Sequence, residues 1–438
     1  LSEKTENELT DCLLGFRYWI DEPGNDAMWF WSENHALMFH TCQLLAGEPF
    51  PDEVFTNSGL TGRQMQAKAK NMLYDWFVTF RKEGFTEWNS SPYLPIDTLG
   101  FGSLYAFAQD PAMRELGREG MDFAYYLLAV HSQQGIFASS SGRTYIKEQF
   151  GNWSNCPSGL SWIGYGYGVP GHAGKGITSY CLSDYEPPKE FAQWFSIPRG
   201  KEMICQTTQG NDGYVDLYTY KTADYMMTSA NDFHPGEPGH QENPFQLTFN
   251  AVAQLWVTHP GERVLFGAAR PSYWAGNGTL PKVNQYKAFA GLIYDIAPEH
   301  PVDFTHLYLP SMEFDRCEVE GKWAFVQLGS AYAAVYCSNG MRMQDFGSNK
   351  DRECIAEGRR CIWLVRAAQA DEFAAFEDFK AAMRGAALDA DAEGRRYRFV
   401  DPVYGELRCQ WGETLYVNDA PMQYSGFDNY GKLTMQEK

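Results

Sequence analysis

A chain of 438 residues, 44% hydrophobic and 21% charged, is long enough for two or three domains and supplies the apolar side chains for a large core. Its 36 basic and 55 acidic residues leave a net charge of −19, which argues against nucleic acid or an anionic membrane as partner, because both require basic surface. No apolar run approaches the ~18 residues of a membrane span, and no signal-peptide pattern opens the chain. With ten cysteines scattered without a CxxC pair, the expectation is buried thiols and a cytoplasmic rather than a secreted protein, although the first residue, Leu1, leaves a trimmed start open.

The first third of the chain is helical in pattern. Ser32 in "WSENHALMFH" has the character of an N-cap, which puts Glu33, Asn34 and His35 in the first turn of a helix whose apolar face begins at Leu37 and Met38. Such a helix mouth favours an anion. Met65, Met72, Leu73, Trp76, Phe77 and Phe80 recur at helical spacing before Gly84, and Met113 to Leu128 repeats the pattern. From Gly135 to Pro188 the periodicity gives way to Gly, Ser and aromatic residues, which predicts long loops over a site or a domain seam, with Trp88, Trp153 or Trp162 exposed in a cleft. Beyond about residue 190 short alternating runs ("KWAFVQLG", "AYAAVYC", "RCIWLVRA", "RYRFV", "ELRCQW") predict an antiparallel sandwich, interrupted by one helix near Asp371 to Met383. The expected fold is α+β and multidomain: a helical domain over residues 1–188 and an antiparallel β-sandwich over 189–438. About five helices are too few for a complete helical ring, so either the ring is short or an N-terminal portion is absent from this chain.

Residues with chemical capacity gather in five stretches. Glu33, Asn34 and His35 open a helix; "GFTEWNSSPYLPID" offers Glu87, Trp88 and Tyr93; "SGRTY" holds Arg143 and Tyr145; "NDFHPGEPGHQEN" holds His234 and His240; and "RPSYWAGNG" holds Arg270 and Tyr273. Aromatic residues make up 16% of the chain, many beside Gly, Asn, Asp or Ser, as in clefts where a flat ring packs on the C–H face of a sugar. No P-loop, GxGxxG after a strand, GxSxG or HExxH occurs. A metal site built from His234, His240 and His259 with Asp232 or Glu237 matches no sharp template.

An Asn-His pair opening a helix, a downstream Tyr and a further His near the β-region resemble the toroid polysaccharide lyases of the heparinase II/III-like and oligoalginate-lyase-like group. The resemblance implies an incomplete α/α toroid joined to an antiparallel β-sandwich, and cleavage of a uronic-acid-containing oligo- or polysaccharide by β-elimination. It requires no cofactor, although a structural metal ion in the β-domain is compatible with it. In that chemistry the C5 proton leaves beside a carboxylate, which must be neutralised. The resemblance casts Asn34 and His35 as donors to that carboxylate, Tyr93 as base and also as the acid to the departing oxygen, and His234 or His240 as the distant histidine that supplies positive charge or is itself the base on the opposite face, with Glu33, Trp88, Arg143, Tyr145, Arg270 and Tyr273 binding substrate. The group's basic residues beside the Asn-His helix are missing here, Met38 standing among apolar neighbours, so Arg143 or Arg270 must supply the charge. The alternatives are a uronyl epimerase on the same fold, a glycoside hydrolase using Glu33 and Glu87, and a non-catalytic glycan-binding protein.

Overall fold

Local signals set the helices. Thr61 and Gln64 form a reciprocal capping box, Met65, Ala69, Leu73, Phe77 and Phe80 follow on one buried face, and Gly84 ends the run at φ 66° with its N–H on the Phe80 carbonyl. The computed structural model describes residues 1–149, 155–170, 175–210 and 214–438. The helices of the first third are α1 (Glu3–Gly15), α2 (Glu33–Gly47), α3 (Gly62–Glu83), α4 (Leu94–Phe107) and α5 (Pro111–Val130). Helix α2 pairs with α3, α4 with α5, and the two pairs meet where α2 packs on α4.

The crossing of α4 and α5 depends on small residues. A methyl group on Gly117 would stand 2.5 Å from the Tyr105 nitrogen and 2.6 Å from the Phe101 oxygen, and one on Gly120 would enter the Phe101 ring. Because backbone atoms cannot move aside, Gly117→Ala is expected to cost about 1–3 kcal/mol and to lower the melting temperature by several degrees. A thermal unfolding curve unchanged from wild type would show that the helices separate without penalty.

Between Gly135 and Pro188 the chain is less open than its composition predicts: helices span Ile146–Gln149, Cys156–Tyr165 and Ile177–Cys181. The Cys156–Tyr165 helix buries Cys156, Ser158, Gly159, Leu160 and Ser161, and a methyl on Gly164 would stand 2.6 Å from the Tyr125 ring. Its buried residues are six in a row, Cys156 to Ser161, and mostly small, so no apolar stripe of helical period reports it. Trp153 falls outside the described residues.

Helix gives way to strand between Ala192–Phe195 and Lys201–Gln209. Among the described residues the first sheet holds, in spatial order, Arg342–Met343, Glu353–Glu357, Phe304–Tyr308, Gln254–Thr258, Phe245–Thr248, Met226–Asn231, Val215–Lys221, Lys201–Gln209 and Lys432–Glu437, all antiparallel. The second runs Lys282–Tyr286, Phe289–Asp295, Arg360–Gln369, Ala331–Cys337, Trp323–Leu328 and Arg316–Glu320. The two sheets bury one core, to which Tyr220, Leu247 and Leu255 come from the first and Phe289, Val335 and Trp363 from the second. A hydrogen bond from Trp363 Nε1 to Thr305 Oγ1, 2.8 Å long, crosses that core. A third, smaller sheet (Leu388–Asp391 to Ala420–Pro421) packs Tyr397 against Gly291, and the helix Phe376–Gly385 lies where the sequence places one.

The helices share a second core with the edge of the first sheet, where Phe77, Phe101, Phe123 and Leu127 meet Met203 and Cys205. Polar groups tie the same junction. Buried Lys221 donates to the carbonyls of Ala129, 3.0 Å away, and Trp194, while Tyr126 donates to the Tyr430 carbonyl. The helical and strand parts therefore form one body, and the segment between them is held against both. No helix among the described residues is long and apolar enough to cross a membrane.

Candidate active site

A pocket of about 560 Å³ opens at the start of α2, lined by Trp29, Trp31, Ser32, Glu33, His35, Thr86, Glu87, Tyr93, Arg143, Tyr145, His240 and Arg270. Five parts of the chain, far apart in sequence, meet there: residues 29–35, 86–93, 143–145, 240 and 270. Helix α2 begins at Glu33 with Ser32 at the N-cap position, but the Ser32 hydroxyl does not cap the helix backbone: it donates to Asn34 Oδ1 and lies 3.1 Å from His35 Nδ1. The Glu33 carboxylate accepts the N–H of Thr86 at 2.7 Å and that of Glu87 at 2.9 Å, pinning the turn after α3 to the start of α2. Tyr93 is the residue before the first turn of α4.

The third part is the segment carrying Arg143 and Tyr145. It is laced to the loop that holds His240: Ser141 and Asn243 exchange backbone hydrogen bonds at 2.9 and 2.7 Å, and the Thr144 N–H donates to the Gln241 carbonyl at 3.0 Å. Trp88 braces it from behind. A methyl on Gly142 would stand 2.6 Å from Trp88 Nε1, and the Gly142 N–H donates to the Trp88 carbonyl at 2.8 Å. Only glycine allows that approach.

The reactive geometry is a pair of phenols under two guanidinium groups. Tyr93 Oη and Tyr145 Oη are 3.0 Å apart. Arg143 lies over both rings, 5.5 Å from the Tyr93 centroid and 5.7 Å from that of Tyr145, and its Nη2 is 3.5 Å from Tyr145 Oη. Arg270 lies over the Tyr145 ring at 5.7 Å. The two phenols are driven apart in acidity. Burial raises both, but at Tyr145 the Tyr93 hydrogen bond, Arg143 and Arg270 outweigh it and bring the phenol below its ordinary value. At Tyr93 burial and the hydrogen bond to Tyr145 prevail over Arg143, and the phenol is raised. Burial also lowers His35, so its imidazole is neutral near neutral pH and acts as a hydrogen-bonding group rather than a charge.

Three carboxyl groups sit beneath this arrangement. Burial lifts Glu33 to about 7 against the pull of its two backbone N–H bonds; burial raises Glu87 despite Arg143, whose Nε is 3.6 Å from Glu87 Oε1; and burial with Glu33 and Glu87 nearby holds Asp97 well above the carboxylate range. A carboxyl raised on folding binds its proton more tightly folded than unfolded, so its stabilising contribution is full below about pH 4.5 and is lost as pH rises through the folded value, for Glu33 about 7. The melting temperature should accordingly fall between about pH 5 and about pH 8, and Asp97→Asn should flatten that fall by roughly 1–4 °C. An Asp97→Asn variant whose melting temperature drops equally at both pH values would show no coupling.

The structure brings together Glu33, His35, Glu87, Tyr93, Arg143, Tyr145, His240 and Arg270, and it leaves out other residues expected at the site. Asn34 is buried and does not line the pocket. Trp88, expected in the open, is 1% exposed and packs edge-on against Phe233, because the Gly142 backbone closes over it. His234 lies in a separate depression with Tyr214 and Phe233, faces Glu237 at 3.4 Å on a backbone at φ 46°, and does not line this pocket. Tyr273 is buried among Trp274, Phe304 and His306 and donates to Glu353 at 2.6 Å, so it offers substrate nothing. Trp162 is exposed on its helix but lines none of this pocket. Among the described residues no three His, Cys, Asp or Glu side chains are grouped to hold a metal ion, and His259 is buried with Nε2 near the Val302 carbonyl.

Trp29 and Trp31, at the mouth, are the residues the sequence reading misses. The signal lies in "DEPGNDAMWFW": three aromatics in a segment rich in turn formers, just before a helix cap, have no apolar periodicity to bury them.

No family model matches the chain. No curated protein matches it in sequence. Among solved structures it is similar to a crystal structure of heparinase III, with a TM-score of 0.41 and 8% identity over 94% of this chain and 70% of that one. It is also similar to the heparan sulfate lyase HepC from Pedobacter heparinus, with a TM-score of 0.38 and 10% identity over 96% of this chain and 68% of that one.

Proposed function

We propose that this pocket is the active site of a polysaccharide lyase that cleaves a uronic-acid-containing glycan by β-elimination. The observation that carries the reading is the Tyr93–Tyr145 pair, 3.0 Å apart, with Arg143 over both rings and Arg270 over that of Tyr145, charges that favour ionisation of Tyr145. Two groups with opposed acidities in one site are the arrangement that acid and base work needs. The Tyr145 phenolate takes the C5 proton, the C4–O4 bond breaks as the C4–C5 double bond forms, and Tyr93 gives its proton to the departing O4. The 3.0 Å bond then returns a proton from Tyr145 to Tyr93 and restores both.

Proton removal needs the neighbouring carboxylate neutralised. Arg270 suits that task, because it has no carboxylate within salt-bridge distance among the described residues and stands over the base. His35 and His240 line the same space, and His35 supplies a neutral donor. In this reading the base is Tyr145 rather than Tyr93, the distant histidine is His240, and Asn34 acts through Ser32. The paired helices are then an incomplete α/α toroid, with residues 1–188 and 189–438 as the two domains.

A second reading, a glycoside hydrolase, draws on Glu33, whose carboxyl burial lifts to about 7, with Glu87 in the same pocket. The lyase reading is the stronger because both Glu33 oxygens already accept backbone N–H groups. Incubation with alginate, hyaluronan, chondroitin sulfate and heparan sulfate separates the readings. A lyase gives products with the ultraviolet absorbance of an unsaturated uronate. New reducing ends without that absorbance would establish hydrolysis, and inversion at C5 without cleavage an epimerase.

A further inference from the structure

The pocket does not end at Tyr145. A second one, of about 430 Å³, is lined by Tyr145, Lys147, Gln241, Ala268, Ala269 and Arg270 among others, and shares Tyr145 and Arg270 with the first. The two compartments therefore meet at the residue that carries the lowered phenol. Each is of a size that holds a small-molecule ligand on its own, so together they exceed what one sugar ring fills.

The residues they do not share differ in chemistry. Trp29 and Trp31 line the first and not the second; they are 51% and 67% exposed, with ring centroids 5.1 Å apart and planes at 87°. Trp31 also meets Phe30 edge-on at 5.2 Å, yet both indoles keep half or more of their surface open to solvent. An open indole face beside a polar groove fits the C–H face of a pyranose, which buries apolar area without requiring charge. Lys147 lines the second and not the first; its side chain is 69% exposed and its Nζ lies 3.2 Å from Glu148, which is buried. Small residues, Ala268 and Ala269, line the same compartment and leave room for a bulky, acidic sugar.

We propose that the two compartments are one through-going groove that binds a glycan on both sides of Tyr145, with a neutral sugar face on Trp31 and Trp29 at one end and a second acidic sugar at Lys147 at the other. Cleavage is then internal to the chain, and the substrate class is a polymer or long oligosaccharide with acidic sugars repeated along it, an extension that rests on the lyase reading. A groove closed on either side of the base would instead release one unit at a time from an end.

Binding length dependence tests this without turnover. Full-length protein carrying Tyr145→Phe is titrated calorimetrically with disaccharides and hexasaccharides of alginate, hyaluronan and heparan sulfate. At least one hexasaccharide should bind about tenfold or more tighter than its disaccharide. Trp31→Ala and Lys147→Ala, each added to Tyr145→Phe, should each remove several-fold of that advantage while leaving disaccharide affinity unchanged; circular dichroism and melting temperature confirm that the variants fold. With the wild-type chain, early products should be a ladder of sizes. Equal affinity for short and long ligands, or release of a single small product from the first time point, overturns the groove and leaves the lyase reading standing. Length-dependent binding without an unsaturated product from any polymer keeps the groove and removes the lyase. Absence of binding to all three glycans removes both.

Discussion

Tyr145→Phe is expected to abolish turnover, with a loss in kcat of about 10²–10⁴, the range a positioned base contributes, while substrate affinity and melting temperature stay close to wild type. Only one oxygen is removed. The ring remains under Arg143 and Arg270, at 5.7 Å from each, so packing and the cation–π contacts survive. Tyr93→Phe should behave differently. It deletes the hydrogen bond that helps hold Tyr145 below its ordinary value, so the rising limb of the pH–rate profile, which follows ionisation of Tyr145, should move to higher pH. Loss of the proton donor to O4 adds a fall in kcat that higher pH does not restore. A well-folded Tyr145→Phe variant with activity near wild type would remove Tyr145 from the chemistry. A Tyr93→Phe variant with an unmoved pH profile would show that the 3.0 Å contact has no part in setting acidity.

Arg143→Ala is expected to be the second most damaging change, lowering kcat/KM by about 10²–10³, the scale of losing one preorganised electrostatic partner. Arg143 stands over both phenols and faces Glu87 at 3.6 Å. Removing it raises Tyr145, leaves Glu87 without its cation, and strips positive charge from a pocket that also holds Glu33. The loss should appear in KM as well as in kcat, because an anionic substrate feels the charge in ground and transition states alike. Arg143→Lys keeps the charge but not the flat guanidinium that covers two rings at once, so it should restore KM more than kcat. Equal kinetic constants for Arg143→Ala and wild type would mean that Arg270 alone neutralises the substrate.

The hydrolase alternative makes opposite demands. Were Glu33 the acid, Glu33→Gln would abolish activity while Tyr145→Phe left it intact. As a structural tie, Glu33→Gln should lower stability, since an amide offers one acceptor oxygen where the carboxylate accepts two N–H groups.

Much of the scaffold was legible because it is written in local patterns. The Thr61–Gln64 box, the apolar face from Met65 to Phe80 and Gly84 read as a helix in sequence and are one, and "AYAAVYC" is the strand Ala331–Cys337. The Cys156–Tyr165 helix was not legible, since it buries six residues in a row, Leu160 the one large apolar side chain among them, and shows no helical period. At the site, Glu33 and His35 were visible from their place behind Ser32 and before an apolar run, and Arg143 and Arg270 from the charge that an anionic substrate would require.

What the chain determined by itself is the order of its elements, the start of α2 beneath a polar trio, and the change from helix to strand, for these depend on neighbours a few positions away. The tertiary structure decided the rest of the chemistry. Whether His234 or His240 faces the pocket rests on the backbone exchange between Ser141 and Asn243, residues a hundred positions apart. Whether Trp88 is open or sealed rests on Gly142, and which tyrosine is the stronger acid rests on two arginines and a phenol that folding brings together. Burial and charge act through space, so a residue's acidity is a property of its surroundings and not of its position in the chain.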